Sequence, residues 1–331
     1  MTLVRLSLSF TGFGPILADL PAVHAAEECG FDGLWYAEHI CAHDAVVPAT
    51  VYLRETQRLE LALMGINPAS RHPGAAAMEL ASLAEIAPGR VRAAIGTGVP
   101  DMVAKLGRSV DKPIAATVAL HQALKAALAG TEITEEYPGF SFAHYQLNPP
   151  AAAPALDIMA VRPRMVQTAV RYADGVCLSA GASRTYLADT VAQVERLLAE
   201  YGRPRADFRI SVVVPAVVSE DLAQARAQVA SVLSTFDAPT LEYLSAGAIA
   251  PNALVTALAS GRPAEVAQVL TGEVVDAMAL VCLPEGVGEA LAAYAGTGVD
   301  EIAIAPLMPP DQVPDLVKLL AANRPAPAAM A

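Results

Sequence analysis

Eight times along this chain a short run of β-branched and aromatic residues gives way to a stretch with helical periodicity. That alternation narrows the folds open to the chain more than any other feature. The strand-like runs fall at 4–10, 33–37, 59–66, 91–95, 156–161, 175–178, 208–218 and 301–305. The helical stretches between them carry one apolar stripe each, as in Leu120, Leu124, Ala127 and Leu128 of 112–129 or Leu187, Val191, Val194 and Leu198 of 184–201. Strand followed by helix, repeated, is the pattern of a parallel sheet. Eight repeats in 331 residues, with no nucleotide fingerprint, favour closure into a (β/α)8 TIM barrel over an open doubly wound sheet. The expected layout is one α/β barrel domain over 1–322 with two insertions and a flexible tail at 323–331. The first insertion, 131–153, is rich in Pro and aromatics and reads as a loop. The second, 237–280, reads as short helical pieces broken by Gly and Pro. Ahead of the second strand, Asp19 is placed to cap a helix that Gly30 closes.

Composition excludes several partners. A net charge of −12 argues against nucleic acid and against an anionic membrane surface. With 54% hydrophobic and 17% charged residues the chain carries a large core and no disorder signature. No apolar run reaches the ~18 residues of a membrane span, and no leader precedes the first strand, so a cytoplasmic location is expected. The four cysteines, Cys29, Cys41, Cys177 and Cys282, match no zinc or disulfide spacing, and no metal is expected.

In a barrel the chemistry sits on the loops that follow the strands. The richest is the end of FDGLWYAEHICAHD (31–44), where an apolar strand breaks into Glu38, His39, His43 and Asp44. His39 is the candidate acid, base or hydrogen-bond donor, because imidazole titrates near neutrality. The plainer reading is a histidine that only packs and bonds locally. Glu38, on the opposite side of the strand, reads as structural, and His43 and Asp44 as solvated loop residues. A metal set of these four would need ligands from other strands, whose ends supply none. The run IGTGVPD (95–101) lacks the third glycine of a dinucleotide loop, yet the glycines of Gly96-Thr97-Gly98 let backbone lie close to a planar ring; the other reading is a plain tight turn. Arg162, Pro163 and Arg164 open a helix whose free N–H groups and guanidiniums suit a phosphate. The same residues also read as a plain surface turn. Arg71-His72-Pro73, before the helix that follows the third strand, carries the same two readings.

Taken together, GFDGLWYAEH (30–39), MGINPASRHP (64–73), ASLAEIAPGRVRAAIGTG (81–98) and RYADGVCLSAG (171–181) resemble the bacterial luciferase-like superfamily. Within it they are most similar to the coenzyme F420 branch typified by methylenetetrahydromethanopterin reductase. The resemblance implies a flavin or deazaflavin at the carboxyl end of the barrel: coenzyme F420 or, alternatively, FMN. It places His39 beside the reactive ring, Met64, Gly65 and Asn67 behind it, Gly96 to Gly98 along its border, and Val161 to Arg164 at the phosphate. It further implies a bulge in the third strand with a non-proline cis peptide, expected at Met64–Gly65, a bond that costs ~3–4 kcal/mol. Three positions depart from the family pattern. Val161-Arg162-Pro163 replaces a glycine-rich turn, Val99 stands where sugar-phosphate oxidisers place a glutamate, and Glu38 stands where Asp is usual.

The implied activity is hydride transfer between F420 and a small organic substrate, with the insertions excluding water. The alternatives are a monooxygenase fed reduced FMN by a separate flavin reductase, a non-catalytic flavin-binding relative and, more distantly, a metal-dependent hydrolase. A homodimer is expected.

Overall fold

The computed structural model describes residues 4–325. Nine strands form one parallel sheet: β1 (Arg5–Phe10), β2 (Gly33–Ala37), β3 (Glu60–Ile66), β4 (Val91–Ile95), β7 (Ala155–Ala160), β8 (Gly175–Leu178), β9 (Arg209–Val218), β10 (Leu280–Cys282) and β11 (Glu301–Pro306). The remaining two, β5 (Ile133–Tyr137) and β6 (Phe140–Tyr145), pair antiparallel in a sheet of their own. The large sheet runs β10-β9-β11-β1-β2-β3-β4-β7-β8, and β8 also pairs with β9, so every strand but β10 belongs to a closed ring of eight. β10 is a short addition beside the end of β9, through Leu280↔Ala216 to Cys282↔Val218. The closed parallel TIM barrel read from the sequence is the fold observed.

Among the described residues, fourteen α-helices accompany the strands: α1 (Leu20–Glu28), α2 (Val46–Glu55), α3 (Pro73–Ile86), α4 (Pro100–Lys105), α5 (Pro113–Leu128), α6 (Pro163–Tyr172), α7 (Arg184–Glu200), α8 (Leu222–Leu233), α9 (Ala238–Leu244), α10 (Ala253–Ala259), α11 (Pro263–Val269), α12 (Gly272–Met278), α13 (Val287–Ala295) and α14 (Val313–Ala322). Proline in the first turn starts several of them, where its missing N–H would have no intrahelical partner anyway. Helices α9 to α12 are the short pieces of the second insertion. None of the described helices is long and apolar enough to cross a membrane.

Three expectations change. The 131–153 segment is a hairpin, not a loop: Pro138-Gly139 turns the chain, and Phe142 and Tyr145 pack on the first turn of α3 at Gly74. Asp19 does not cap α1; its carboxylate accepts from the Tyr52 hydroxyl at 2.8 Å. Of the tail, 326–331 lies outside the described residues, while Arg324 is tied to the Val4 carbonyl and to Asp32.

Two apolar layers hold the barrel. Outward-facing strand residues such as Leu6, Leu34, Leu61, Ile158 and Ile302 pack under the helices. Inside the ring, small residues surround Trp35, among them Ala62, Ala94 and Ala303. Beneath that cluster lies a group of charges no local pattern announced. Arg92 pairs with Asp157 and reaches Glu60, Arg209 pairs with Glu60 and Glu301, and Arg5 pairs with Glu60. Glu301 also accepts from Ser7 at 2.6 Å, from Trp35 Nε1 at 3.0 Å and from Ser211 at 2.9 Å. Arg209 and Arg5, with those donors, hold its pKa below the usual carboxylate value although burial alone would raise it.

One buried base lies outside this group. His121 on α5 is 1% exposed, and neither ring nitrogen has a hydrogen-bond partner; Thr117 Oγ1, one turn earlier, is also unpartnered. Burial, with Lys125 nearby, lowers its pKa from 6.5 to about 4. The unfolded chain therefore binds a proton first as the pH drops, so stability present above pH 6.5 is lost as pH falls towards 4. The expected loss is about 3 kcal/mol at most. Urea unfolding at pH 7, 5.5 and 4.5 should show the difference between wild type and His121→Leu shifting against wild type on acidification. A pH-independent difference would mean that His121 does not titrate there.

Candidate active site

The sheet order places the ends of β2, β3, β4 and β7 side by side, so His39, Met64 to Asn67, Gly96 to Gly98 and Val161 to Arg164 follow one another along one arc of the barrel mouth. His39 stands two residues past β2, half-buried, with its ring against Phe13 at 4.4 Å between centroids. The sequence reading missed Phe13; it lies on the loop after β1, 64% exposed, and the pairing of β1 with β2 brings it beside His39. His39 Nδ1 is buried without a hydrogen-bond partner. Burial holds the imidazole pKa below 6.5, with the backbone of Thr11 and Ala37 and the charge of Glu38 pulling partly the other way. At neutral pH the ring is uncharged, in the form that accepts a proton.

The other ionisable groups of 38–44 turn elsewhere. Glu38 is buried in an ion pair with Arg71, which also bonds Glu79 at 2.7 Å. Arg71 thereby ties the loop after β3 to the end of β2, which settles its earlier ambiguity. His43 Nδ1 lies 3.0 Å from the Gly12 carbonyl, and Asp44 accepts from the amides of Val46 and Val47 at the start of α2. Among the described residues no three or more His, Cys, Asp or Glu side chains gather as a metal set.

At β3 the register against β4 shifts between Met64 and Ile66, so the expected bulge is present. The expected cis bond is not: no cis peptide occurs among the described residues. Gly65 adopts φ +103 instead, which redirects the chain with a trans bond and leaves no room for a Cβ, 3.0 Å from the Glu38 carbonyl. Asn67 is buried and folds back on its own loop, donating to the Gly65 carbonyl and accepting from Ala69 and Ser70. Its side chain shapes the loop and has little left for a ligand. Past β4, Gly96 donates to Ile66 at 2.9 Å, and a Cβ there would meet Met159 Sδ at 3.2 Å. Gly98, at φ +78, packs on Val103 and on Asn67. Thr97 Oγ1 bonds the Gly98 carbonyl at 3.2 Å, so this run is a tight turn that seals the arc against β3 and β7.

After β7 the two arginines separate. Arg162 donates to the Pro239 carbonyl at 3.1 Å and lies 4.1 Å over the Tyr243 ring, both in or beside α9. Tyr186 donates to the Val161 carbonyl at 2.6 Å and meets Tyr243 edge-on. Arg162 thus fastens the second insertion to the start of α6, and Pro163 opens the helix. Arg164 is exposed in its first turn. Removing the ring in Tyr243→Ala should loosen α9 by about 1 kcal/mol, roughly a fivefold rise in amide exchange there, with the barrel strands unchanged. Unchanged exchange in α9 would show that the Arg162 contact carries no weight.

Small residues and two methionines line the arc, a neutral half-buried imidazole stands at one end, and the start of a helix with Arg164 stands at the other. A closed β/α barrel with such a mouth is the class of protein that fold and site define. The chain belongs to the luciferase-like monooxygenase family, whose model matches residues 20–301.

Among curated proteins it is 24% identical over 300 residues to the 5,10-methylenetetrahydromethanopterin reductase of Archaeoglobus fulgidus, covering 88% of this chain and 90% of that one. Among solved structures it resembles the coenzyme F420 dependent tetrahydromethanopterin reductase of Methanopyrus kandleri, with a TM-score of 0.80 at 16% identity over 97% and 98% of the two chains. A monooxygenase from Streptomyces bottropensis superposes with a TM-score of 0.75 at 20% identity, over 96% and 98%. The resemblance read from the sequence is thereby shown at the level of the family, and the family is one of oxidoreductases and monooxygenases.

Proposed function

We propose that this protein is an oxidoreductase that binds coenzyme F420 in the arc from His39 to Arg164 and moves a hydride between it and a small organic substrate. The observation that carries the reading is His39, uncharged and half-buried at the rim beside the bulged end of β3. The match to F420-linked reductases along most of the chain supports the choice of cofactor. When bound, F420 supplies two-electron chemistry and no protein side chain has to be oxidised. The residues of this chain would divide the remaining work. Gly65, Gly96, Thr97 and Gly98 would lie along the ring, Met64 would back it, and Arg164, with its side chain and its own backbone amide, would face the phosphate. His39 holds or moves a proton at Nε2, the nitrogen left clear of the buried side. A second copy of the chain belongs to this proposal as a homodimer partner.

The test uses Trp35, the single tryptophan, buried in the barrel interior beneath the mouth. Parallel titrations with F420 and FMN should quench its emission saturably, with F420 binding at micromolar concentration and FMN more weakly. Tighter binding of FMN would favour the monooxygenase reading, with reduced flavin supplied by a separate reductase. No quenching by either would remove the cofactor assignment.

A further inference from the structure

The cofactor arc takes up one side of the barrel mouth, and a cavity of about 230 Å³ opens on the other. It lies at the ends of β1 and β11, bordered by α1 and the start of α14. Phe10, Met308, Pro310 and Val313 make most of its wall apolar, and Asp19 is the one ionisable group among the residues that line it. Half-buried, Asp19 accepts from the Tyr52 hydroxyl at 2.8 Å through Oδ2, while Oδ1 has no partner among the described residues. It forms no ion pair there with Arg or Lys. Glu38, the buried acid on the same rim, has Arg71. Burial raises the Asp19 pKa above the usual carboxylate value, with the Tyr52 bond and the charge of His43 pulling partly the other way. A carboxylate set in such a wall costs free energy until a cation meets it.

We propose that this cavity binds a small organic cation: a primary ammonium paired with Asp19 Oδ1, carried on a short apolar body that packs against Met308 and Val313. Size and lining decide against a bare metal ion. One carboxylate in a wall of carbon leaves most of an ion's oxygen sphere unfilled, whereas the volume suits an organic fragment, being below the roughly 300–1,000 Å³ of a drug-sized site. The same charge turns away carboxylates and phosphates. The position gives the occupant a role. β1 stands between β11 and β2 in the ring, so the cavity and the arc flank the His39 loop from opposite sides. Two residues of the cavity wall touch that loop: the backbone of Thr11 bears on the His39 imidazole, and Gly12 packs against the Ala37 carbonyl. A molecule anchored at Asp19 lies across His39 from the cofactor arc, where the second reactant is needed. That role rests on the cofactor reading above; the binding itself does not.

The experiment is a calorimetric titration of the full chain without coenzyme, in about 0.3 M NaCl to screen the net charge of −12. It compares 2-phenylethylammonium with its neutral isostere 2-phenylethanol and with phenylacetate. The ammonium should bind roughly 10- to 100-fold more tightly than the alcohol, and the acid more weakly than either. Asp19→Asn keeps an acceptor for Tyr52 and removes the charge, so it should bring the ammonium down to the alcohol. Met308→Trp, which fills the cavity, should weaken both alike. Equal affinity for ammonium and alcohol in wild type, an ammonium preference that survives Asp19→Asn, or loss of ammonium binding when potassium replaces sodium would overturn the organic-cation site. Repeated with F420 present, the titration should show both molecules bound together; displacement of one by the other would overturn the placement across His39. Ammonium bound through Asp19 with no F420 binding at all would uphold the site and remove its role as the seat of the second reactant, along with the cofactor reading. Should a variant not fold, the wild-type preference decides alone.

Discussion

His39→Ala is expected to lower kcat by about 10²- to 10⁴-fold while the affinity for the coenzyme, read from Trp35, changes less than about threefold. The split follows from position. The imidazole stands at the end of the arc and touches Phe13 at its edge, so its loss removes a proton acceptor and little binding surface. His39→Asn separates two roles, because an amide can bond a hydroxyl but cannot take its proton at neutral pH. It should be as slow as alanine if the proton matters, and close to wild type if only a hydrogen bond does. Burial lowers the His39 pKa, so turnover in the direction that releases a substrate proton should rise with pH through a value below 6.5 and then level off. Unaltered rates in both variants would take His39 out of the chemistry and leave it a packing residue.

The largest effect on stability should come from Arg92→Met. Asp157 is fully buried, and Arg92 is its one hydrogen-bonded partner; its second carboxylate oxygen has none. Burial already raises the Asp157 pKa to about 6 against the pull of Arg92 and Arg209. Taking the guanidinium away strands that carboxylate, at a cost of about 3–5 kcal/mol near neutral pH, or a Tm drop of about 5 °C. The sign with pH follows from the raised value. A carboxyl whose folded pKa lies above its unfolded one favours folding while protonated, and that advantage fades as pH rises through the folded pKa. The deficit of Arg92→Met should therefore be smaller at pH 5 than at pH 8. Arg92→Met combined with Asp157→Leu should recover most of it, because an apolar pair of similar volume leaves no unpaired charge. A double variant as unstable as the single would show that packing, and not the charge, is responsible.

Much of this protein is legible in its sequence for a local reason. The strand ends lie within a residue or so of where β-branched runs stop, at Ala37, Ile66 and Ile95, because a buried parallel strand needs a continuous apolar run and a turn ends it. The hairpin over 133–145 also carried a local sign, Pro138-Gly139 between aromatic and β-branched residues, obscured by its exposed glutamates. At the mouth, the glycines of 96–98 were visible as a place where backbones approach. Which approach they serve was not: Gly96 yields to Met159 and Gly98 to Asn67 and Val103. The cis bond at Met64–Gly65 rested on resemblance alone, and the positive φ of Gly65 makes the turn without it.

By itself the sequence determined the alternation, the number of ring strands, and hence the rim on which His39 and the 161–164 turn would stand. Periodicity is a property of neighbours in the chain, and it fixes which face of each element is apolar. The tertiary structure alone decided partners. It set Arg209 against Glu60 across 149 positions and Ser7 against Glu301 across 294, turned Arg162 towards α9, and laid Phe13 on His39. An ion pair or a ring contact has no signature in the residues beside it, since its energy exists only once closure of the barrel brings distant side chains within a few ångströms.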